Sequence, residues 1–244
     1  MDKQLNIYDH VKQKAARIFE DHGLLSQTVR IKARALSPEE AIGNPEGDDF
    51  PIQKGKERLM QADIRGSLGQ AFTDRFGDYE GTLADILSVE PTNNYRRAVF
   101  AAAINAALRY LGRIESTVHC RDAEPAHCAE ALAEHIQQRY GRVRITQVGY
   151  QPKMVETLGD RFELRVLDMD PDNLGVRKHG VLIEPPENTD AAVEWADLLV
   201  VTGTVLVNGT LPNFLVDKPV IFYGTTIAGA AWLMGWNRFC ACGK

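Results

Sequence analysis

The segment Ala196-Asp-Leu-Leu-Val-Val-Thr-Gly-Thr-Val-Leu-Val-Asn-Gly-Thr-Leu211 sets the tightest limit on how this chain can fold. Leu198 to Val201 are apolar without alternation, so the strand they form has no polar face to leave in water. Such a strand belongs inside a parallel sheet covered by helices. Ligands of such sheets sit at the carboxyl ends of the strands. Thr202, Gly203 and Thr204 occupy that end, offering two hydroxyls and backbone N–H groups that a glycine lets a ligand approach closely.

The rest of the second half agrees. From Pro125 on, helical and strand patterns alternate: helices over Pro125–Tyr140, Pro152–Leu158, Asp190–Trp195 and Ile227–Met234, with a short one near Leu211–Leu215. Between them run strands over Val143–Val148, Phe162–Leu167, Leu198–Val201 and Val220–Tyr223, with a last one near Phe239. Alternation of this kind implies right-handed crossovers and a Rossmann-like sheet. The first half reads differently. Ile7 to His22 has the spacing of an amphipathic helix stopped by Gly23, Thr28 to Ala35 alternates like a half-exposed strand, and Leu59 to Ile64 reads as another strand. Tyr79 to Val89 is expected to be a short helix, and Asn94 to Leu111 an Ala-rich helix ended by Gly112. Ser37 to Lys56 has loop chemistry and is long enough to serve as a lid or contact surface, including one between two copies in a homodimer. The expected fold class is therefore α/β: a smaller N-terminal α+β domain over 1–115 and a Rossmann-like parallel-sheet domain over 116–244.

A net charge of −5 supplies no basic field for gripping phosphate backbones, which disfavours nucleic acid as a partner. The opening Met1-Asp-Lys-Gln-Leu-Asn6 has no apolar core of signal-peptide length. The longest apolar run, Ala98 to Leu108, is broken by Asn105, so no membrane segment is expected and the chain reads as cytoplasmic. Four cysteines in a reducing compartment are expected to be thiols.

Several constellations carry chemistry. The first strand of the second half ends in Gly149-Tyr-Gln-Pro, without the three spaced glycines of a dinucleotide site. Asp168 closes the next strand, where nucleotide-binding relatives place an acid for ribose hydroxyls. Asp168, Asp170 and Asp172 share one loop, which reads either as oxygen ligands for a hard cation or as a solvated acidic turn. Asn208-Gly209 marks a turn, with Thr210 as N-cap of the next short helix or as part of an anion cradle. His119-Cys120, His127-Cys128 and Cys240-Ala-Cys242 are soft donors of the kind that select zinc, copper or heavier metals, although no pair has C-x-x-C spacing; each thiol taken singly reads better as core packing. Asn105, on an otherwise apolar helix face, must find partners, either as a tether between the halves or facing a cleft. Trp195, Trp232 and Trp236 read as core or interface residues.

Taken together, Arg97-x7-Asn105-Ala106, Val148-Gly149-Tyr150, the run Asp197 to Thr210 and Phe222-Tyr-Gly-Thr-Thr226 resemble the uncharacterised family labelled "putative heavy-metal chelation". Its Thr-Gly-[Ser/Thr]-x-x-x-Asn-Gly-Thr core matches Thr202 to Thr210. Where family members turn through Gly-Pro-Ser, this chain has Gly224-Thr225-Thr226. The resemblance implies an N-terminal domain similar to the small domain of enolase, a Rossmann-like domain, and a site in the cleft between them. It implies a metal- or metallocofactor-binding protein whose ligand site comprises Asn105, Gly149, Asp168, Thr202, Gly203, Thr204, Asn208, Thr210, Gly224 and Thr225. His119, Cys120 and Cys240 are the candidate ligands of a soft transition or heavy metal ion, with at most one of the adjacent His119 and Cys120 reaching a given ion. The alternatives are an enzyme acting on a small anionic or nucleoside-containing substrate, with Asp168 as ribose acceptor, and a scaffold whose cleft holds nothing tightly.

Overall fold

Capping and turn residues fix most element boundaries in the computed structural model, which describes residues 3–32, 39, 42, 43, 52 and 57–244. The helix α1 (Lys3–Asp21) opens the chain and is followed by β1 (Thr28–Lys32). The Ser37–Lys56 segment, read above as a lid or dimer contact, lies outside the described residues except for Glu39, Ile42, Gly43 and Ile52. Then come β2 (Arg58–Ile64), β3 (Ser67–Thr73) and β4 (Tyr79–Thr82), giving a four-stranded antiparallel sheet in the order β3-β2-β1-β4. The strand β3 had no sequence reading. It is fixed by the two-residue turn Arg65-Gly66, where φ values of 51° and 86° match the twist of a hairpin, and the Asp63 carboxylate accepts from Gly66 N at 2.7 Å.

The expected helix over Tyr79–Val89 is corrected to a strand followed by α2 (Leu83–Ser88). The reason is local. Thr82 and Asp85 form a reciprocal capping box that starts the helix at Leu83, while Tyr79 to Thr82 pair with β1. The Ala-rich helix α3 (Asn94–Tyr110) starts where the Asn93 side chain accepts from Arg96 N at 2.9 Å, and it is buried from Ala98 to Leu108. Its alanines admit close backbone packing: a Cβ on Gly69 of β3 would stand 2.2 Å from Ala106 N and 2.4 Å from Ala102 O.

The second half builds α4 (Glu124–Tyr140), β5 (Arg144–Val148), α5 (Pro152–Arg161), β6 (Glu163–Leu167), β7 (Arg177–Lys178), β8 (Val181–Glu184) and α6 (Thr189–Trp195). It continues with β9 (Leu198–Thr202), α7 (Val205–Asn208), β10 (Val220–Tyr223), α8 (Ala228–Met234) and β11 (Arg238–Phe239). These strands form one sheet in the order β11-β10-β9-β5-β6-β8-β7, parallel except for the β7–β8 hairpin at the edge. The fold is thus mixed α/β with two sheets, one mostly parallel. The short β7 and β8 escaped the sequence reading because two- and four-residue strands carry no period. The helix expected near Leu211–Leu215 is a 3-10 turn over Leu211–Phe214, with Thr210 at its N-cap position as read but making no side-chain cap bond there.

The two sheets share one apolar core, which runs from Val11 and Phe19 of α1 through Ile104 and Leu108 of α3 to Leu199, Phe222 and Leu233. A second cluster lies under α4 and α5, with Leu132, Ile136, Leu158 and Ile221. Of the three tryptophans, Trp195 and Trp236 pack against the shared core, whereas Trp232 is exposed. Among the described residues no helix is long and apolar enough to cross a membrane.

Candidate functional site at the sheet switch point

The order of the parallel strands reverses between β5, the first laid down, and β9, so the loops after these two strands leave in opposite directions and open a crevice. Local packing shapes it. Gly149, after β5, has φ +88°, and a Cβ there would meet Thr202 Cγ2 at 2.7 Å. Tyr223, at the end of β10, donates its hydroxyl proton toward Val148 O (3.2 Å) and Gly149 O (3.0 Å). Gly203 N bonds Tyr223 O at 2.8 Å, and a Cβ on Gly203 would lie 2.9 Å from Ile227 N, so the Thr-Gly-Thr turn is pressed against the entry to α8. The hydroxyls of Thr202 and Thr204 stand 3.1 Å apart.

These turns line a cavity of about 700 Å³ that lies between the carboxyl ends of the parallel strands and the antiparallel sheet, which contributes Phe72 of β3 and the flanking Glu57 and Asp74. Its size is in the range of small-molecule sites. The structure brings Gly149, Asp168, Thr202, Gly203, Thr204, Asn208, Thr210, Gly224 and Thr225 to its wall, together with His119, Cys120 and Cys240. Asn105 is placed elsewhere. It is 1% exposed and serves as the tether: Nδ2 donates to Gln70 O (3.0 Å), Thr225 O (2.9 Å) and Thr226 O (3.2 Å), and Oδ1 accepts from Gly229 N (2.7 Å). It holds the cavity's Thr225-Thr226 turn onto β3 from behind.

The Asp168 loop is organised from within. The Asp168 carboxylate accepts from Tyr150 N (2.6 Å) and Asp170 N (2.7 Å), and Asp170 Oδ1 accepts from Asp172 N (3.1 Å). This is the self-bonded turn chemistry of aspartates, and it fixes the orientation of the Asp168 carboxylate.

The charge lining the cavity is of one sign. Glu57, Asp74, Asp168, Asp170, Glu187 and Asp190 reach its wall, and among the described residues no lysine or arginine does. Burial, with Asp168, Asp74 and Asp170 adding repulsion, pushes the Glu57 carboxyl up to about 7. Glu57 had no sequence signal, standing alone at the edge of the loop-like tract; Phe72 lay in a stretch with no sequence reading, and Tyr223 was legible only as a strand residue.

The other end of the cavity is soft. His119 Nδ1 lies 2.6 Å from Cys120 O, and because a carbonyl only accepts, Nδ1 carries the proton and the lone pair is left on Nε2. Burial lowers the imidazole's pKa and so favours this neutral form. Burial, reinforced by the neighbouring cysteines, pushes the Cys120 thiol far up, and burial raises Cys128 to about 11. Cys120, Cys128 and Cys240 line the cavity, and Cys242 lies close enough to Cys120 and Cys128 to affect both thiols, so the four cysteines converge from three separate segments. Even so, among the described residues no group of three or more His, Cys, Asp or Glu side chains is placed to hold a metal ion.

Strand order, the crevice at the reversal and the second, antiparallel sheet define a Rossmann-like α/β protein with an added sheet across the cavity from the carboxyl ends of its parallel strands. The more particular resemblance read from the motifs is borne out: residues 131–228 match the model of the DUF364 family, described as "Putative heavy-metal chelation". The solved structure of a DUF364 protein of unknown function from Pyrococcus horikoshii is similar at a TM-score of 0.57 and 18% identity, covering 90% of this chain and 79% of that one. A second, from Desulfitobacterium hafniense DCB-2 and likewise of unknown function, is similar at 0.51 and 15%, covering 72% of each chain. At these identities the likeness concerns the fold alone. No curated protein matches the chain.

Proposed function

We propose that this protein binds a metal in complexed form, a metallocofactor or metal chelate, in the cavity between an N-terminal enolase-like domain (1–115) and a Rossmann-like domain (116–244). The observation that carries this reading is the cavity's combination of volume and charge: about 700 Å³, six acidic side chains, and no cationic one among the described lining residues. A bare ion needs a few ligands within about 2–2.5 Å rather than an open chamber. A metal that brings its own organic ligands needs the chamber and only one or two protein donors. His119 Nε2, Cys120 and Cys240 supply those at one end, in keeping with the absence of a ready three-ligand nest among the described residues. The Thr202–Thr204 and Asn208–Thr210 turns would meet the organic part through hydroxyls and backbone N–H groups. Asn105 supports the site from behind the wall. The family's description points the same way.

A small anionic substrate fits less well, since entering a cavity lined by carboxylates costs Coulomb energy that no cation among the described lining residues offsets. Free thiols at Cys120 and Cys240 suit the reducing cytoplasm.

The test is elemental analysis of protein purified without oxygen or chelators, comparing wild type with a Cys120→Ser, Cys240→Ser double variant. About one soft metal per chain that disappears in the variant is the expected result. A metal-free wild type that is thermally stabilised by nucleosides or small anions, and not by metal chelates, would overturn the reading.

A further inference from the structure

The acidic residues of the cavity are graded from its mouth inward. Asp74, Glu187 and Asp190 are exposed at the edge, whereas Glu57, Asp168 and Asp170 are half-buried in the wall. They come from three directions. The pair Arg58–Thr73 ends the β2–β3 ladder, and Glu57 and Asp74 are the next residues out on the two strands, so two carboxylates stand side by side on the face that also carries Leu59 and Phe72. Asp168 and Asp170 follow β6, and Glu187 and Asp190 flank the start of α6. Asp74 Oδ1 accepts from Asn94 Nδ2 at 2.7 Å, and Arg97 Nη2 donates to Asn94 Oδ1 at 2.5 Å, which fixes that amide. Two cations border this region without lining it: Arg58 lies over the Phe76 ring at 5.6 Å and Lys178 over the Tyr150 ring at 4.9 Å.

The wall also holds an unanswered hydroxyl. Thr225 lines the cavity at 1% exposure, its carbonyl tied to Asn105, and its Oγ1 has no hydrogen-bond partner among the described residues. Its neighbour Thr226 accepts from Phe72 N at 3.1 Å, which seats this turn against β3 two residues from Asp74. A buried hydroxyl without a partner is costly, and so are like charges gathered with no cation among the described lining residues. One occupant relieves both: it donates hydrogen bonds and carries positive charge. A compact hard ion does not fit, because among the described residues no three acids are placed to hold one. Carboxylates spread over three segments, with Phe72, Met154 and Phe214 as apolar lining, match positive charges spread along an apolar chain. We propose that this end of the cavity binds a small organic cation with two or more protonated amines spaced along a hydrocarbon chain, its ammonium groups donating to Glu57, Asp74, Asp168 and the Thr225 hydroxyl. The exposed acids steer it to the mouth and the half-buried ones hold it. The carboxylates make this subsite by themselves, so the inference does not rest on a metal at the soft donors.

The experiment is isothermal titration calorimetry on full-length, reduced, metal-free protein at pH 8 and fixed ionic strength, with 1,4-diaminobutane, spermidine, butylamine and magnesium chloride as probes. The diamine and spermidine are expected to bind at one per chain, and at least about tenfold more tightly than butylamine, since each further ammonium adds a charge-assisted hydrogen bond. Asp74→Asn, an exposed change that leaves the fold intact, and Glu57→Gln should each weaken the diamine about tenfold, and Thr225→Val roughly fivefold. Glu134→Gln removes the same charge from the exposed side of α4, outside the cavity, and should leave the affinity unchanged. Equal binding of butylamine and the diamine, equal binding of magnesium, an Asp74→Asn protein no weaker than Glu134→Gln, or no binding of any amine would each overturn the proposal. Because the protein is metal-free throughout, a soft metal at Cys120 and Cys240 is read separately by elemental analysis, and either result stands without the other.

Discussion

Replacing Glu57 by Gln tests the electrostatics of the cavity without changing its shape. The carboxyl is raised from 4.5 to about 7, so the folded protein holds a proton that the unfolded chain gives up between those values. The folded state therefore binds more protons in this window, and stability falls as pH rises through it. At ~1.4 kcal/mol per unit the full penalty above pH 7 is about 3 kcal/mol; partial exposure of the side chain reduces this to about 2 kcal/mol. Gln carries no charge at any pH and removes the penalty. The variant should match wild type near pH 4.5 and exceed it by about 2 kcal/mol at pH 8, a rise in melting temperature of roughly 4–8 °C for a chain of this size. Urea or thermal unfolding across this range reads the difference directly. A gain of equal size at both ends of the range, or a loss at pH 8, would refute the burial and repulsion argument. Saturation with a cation complex that fills the cavity should shrink the gain, because a positive charge beside Glu57 favours its ionised form.

Two further outcomes follow from the packing. Asn105→Ala should cost about 3 kcal/mol in thermal or urea unfolding, since Gly229 N and three buried carbonyls each lose a hydrogen bond; a cost below about 1 kcal/mol would mean that the tether is dispensable. Gly69→Ala drives a methyl into the backbone of α3 and should cost about 3 kcal/mol or prevent folding, whereas Gly112→Ala, which meets nothing within 4 Å, should cost only ~1 kcal/mol for its left-handed φ.

The reading of the second half succeeded because periodicity there was strong. A run with no polar face, Leu198 to Val201, has only one kind of place to go, and each helix between strands forces a parallel neighbour. The turns Gly149, Thr202-Gly203-Thr204 and Gly224-Thr225 were visible as loop chemistry at strand ends, which is why these residues emerge together on one wall. The first half was less legible. Tyr79 to Val89 mixes a four-residue strand with a capped six-residue helix, and β3 was hidden by its glycine and glutamine until a hairpin turn and the backbone of α3 supplied partners.

Local sequence thus determined the parallel sheet, its small polar strand ends and the presence of soft donors, because periodicity and turn chemistry act within a few residues. Only the tertiary structure decided which of these share a space. Asn105 and Glu57 show why: one was conspicuous and became a buried tether, the other was inconspicuous and came to sit among three aspartates with its proton retained near neutral pH. The meeting of Cys120 and Cys128 with Cys240 on one cavity wall depends on chain closure over more than a hundred residues. Burial and the field of distant charges are properties of the assembled fold, and no local pattern encodes them.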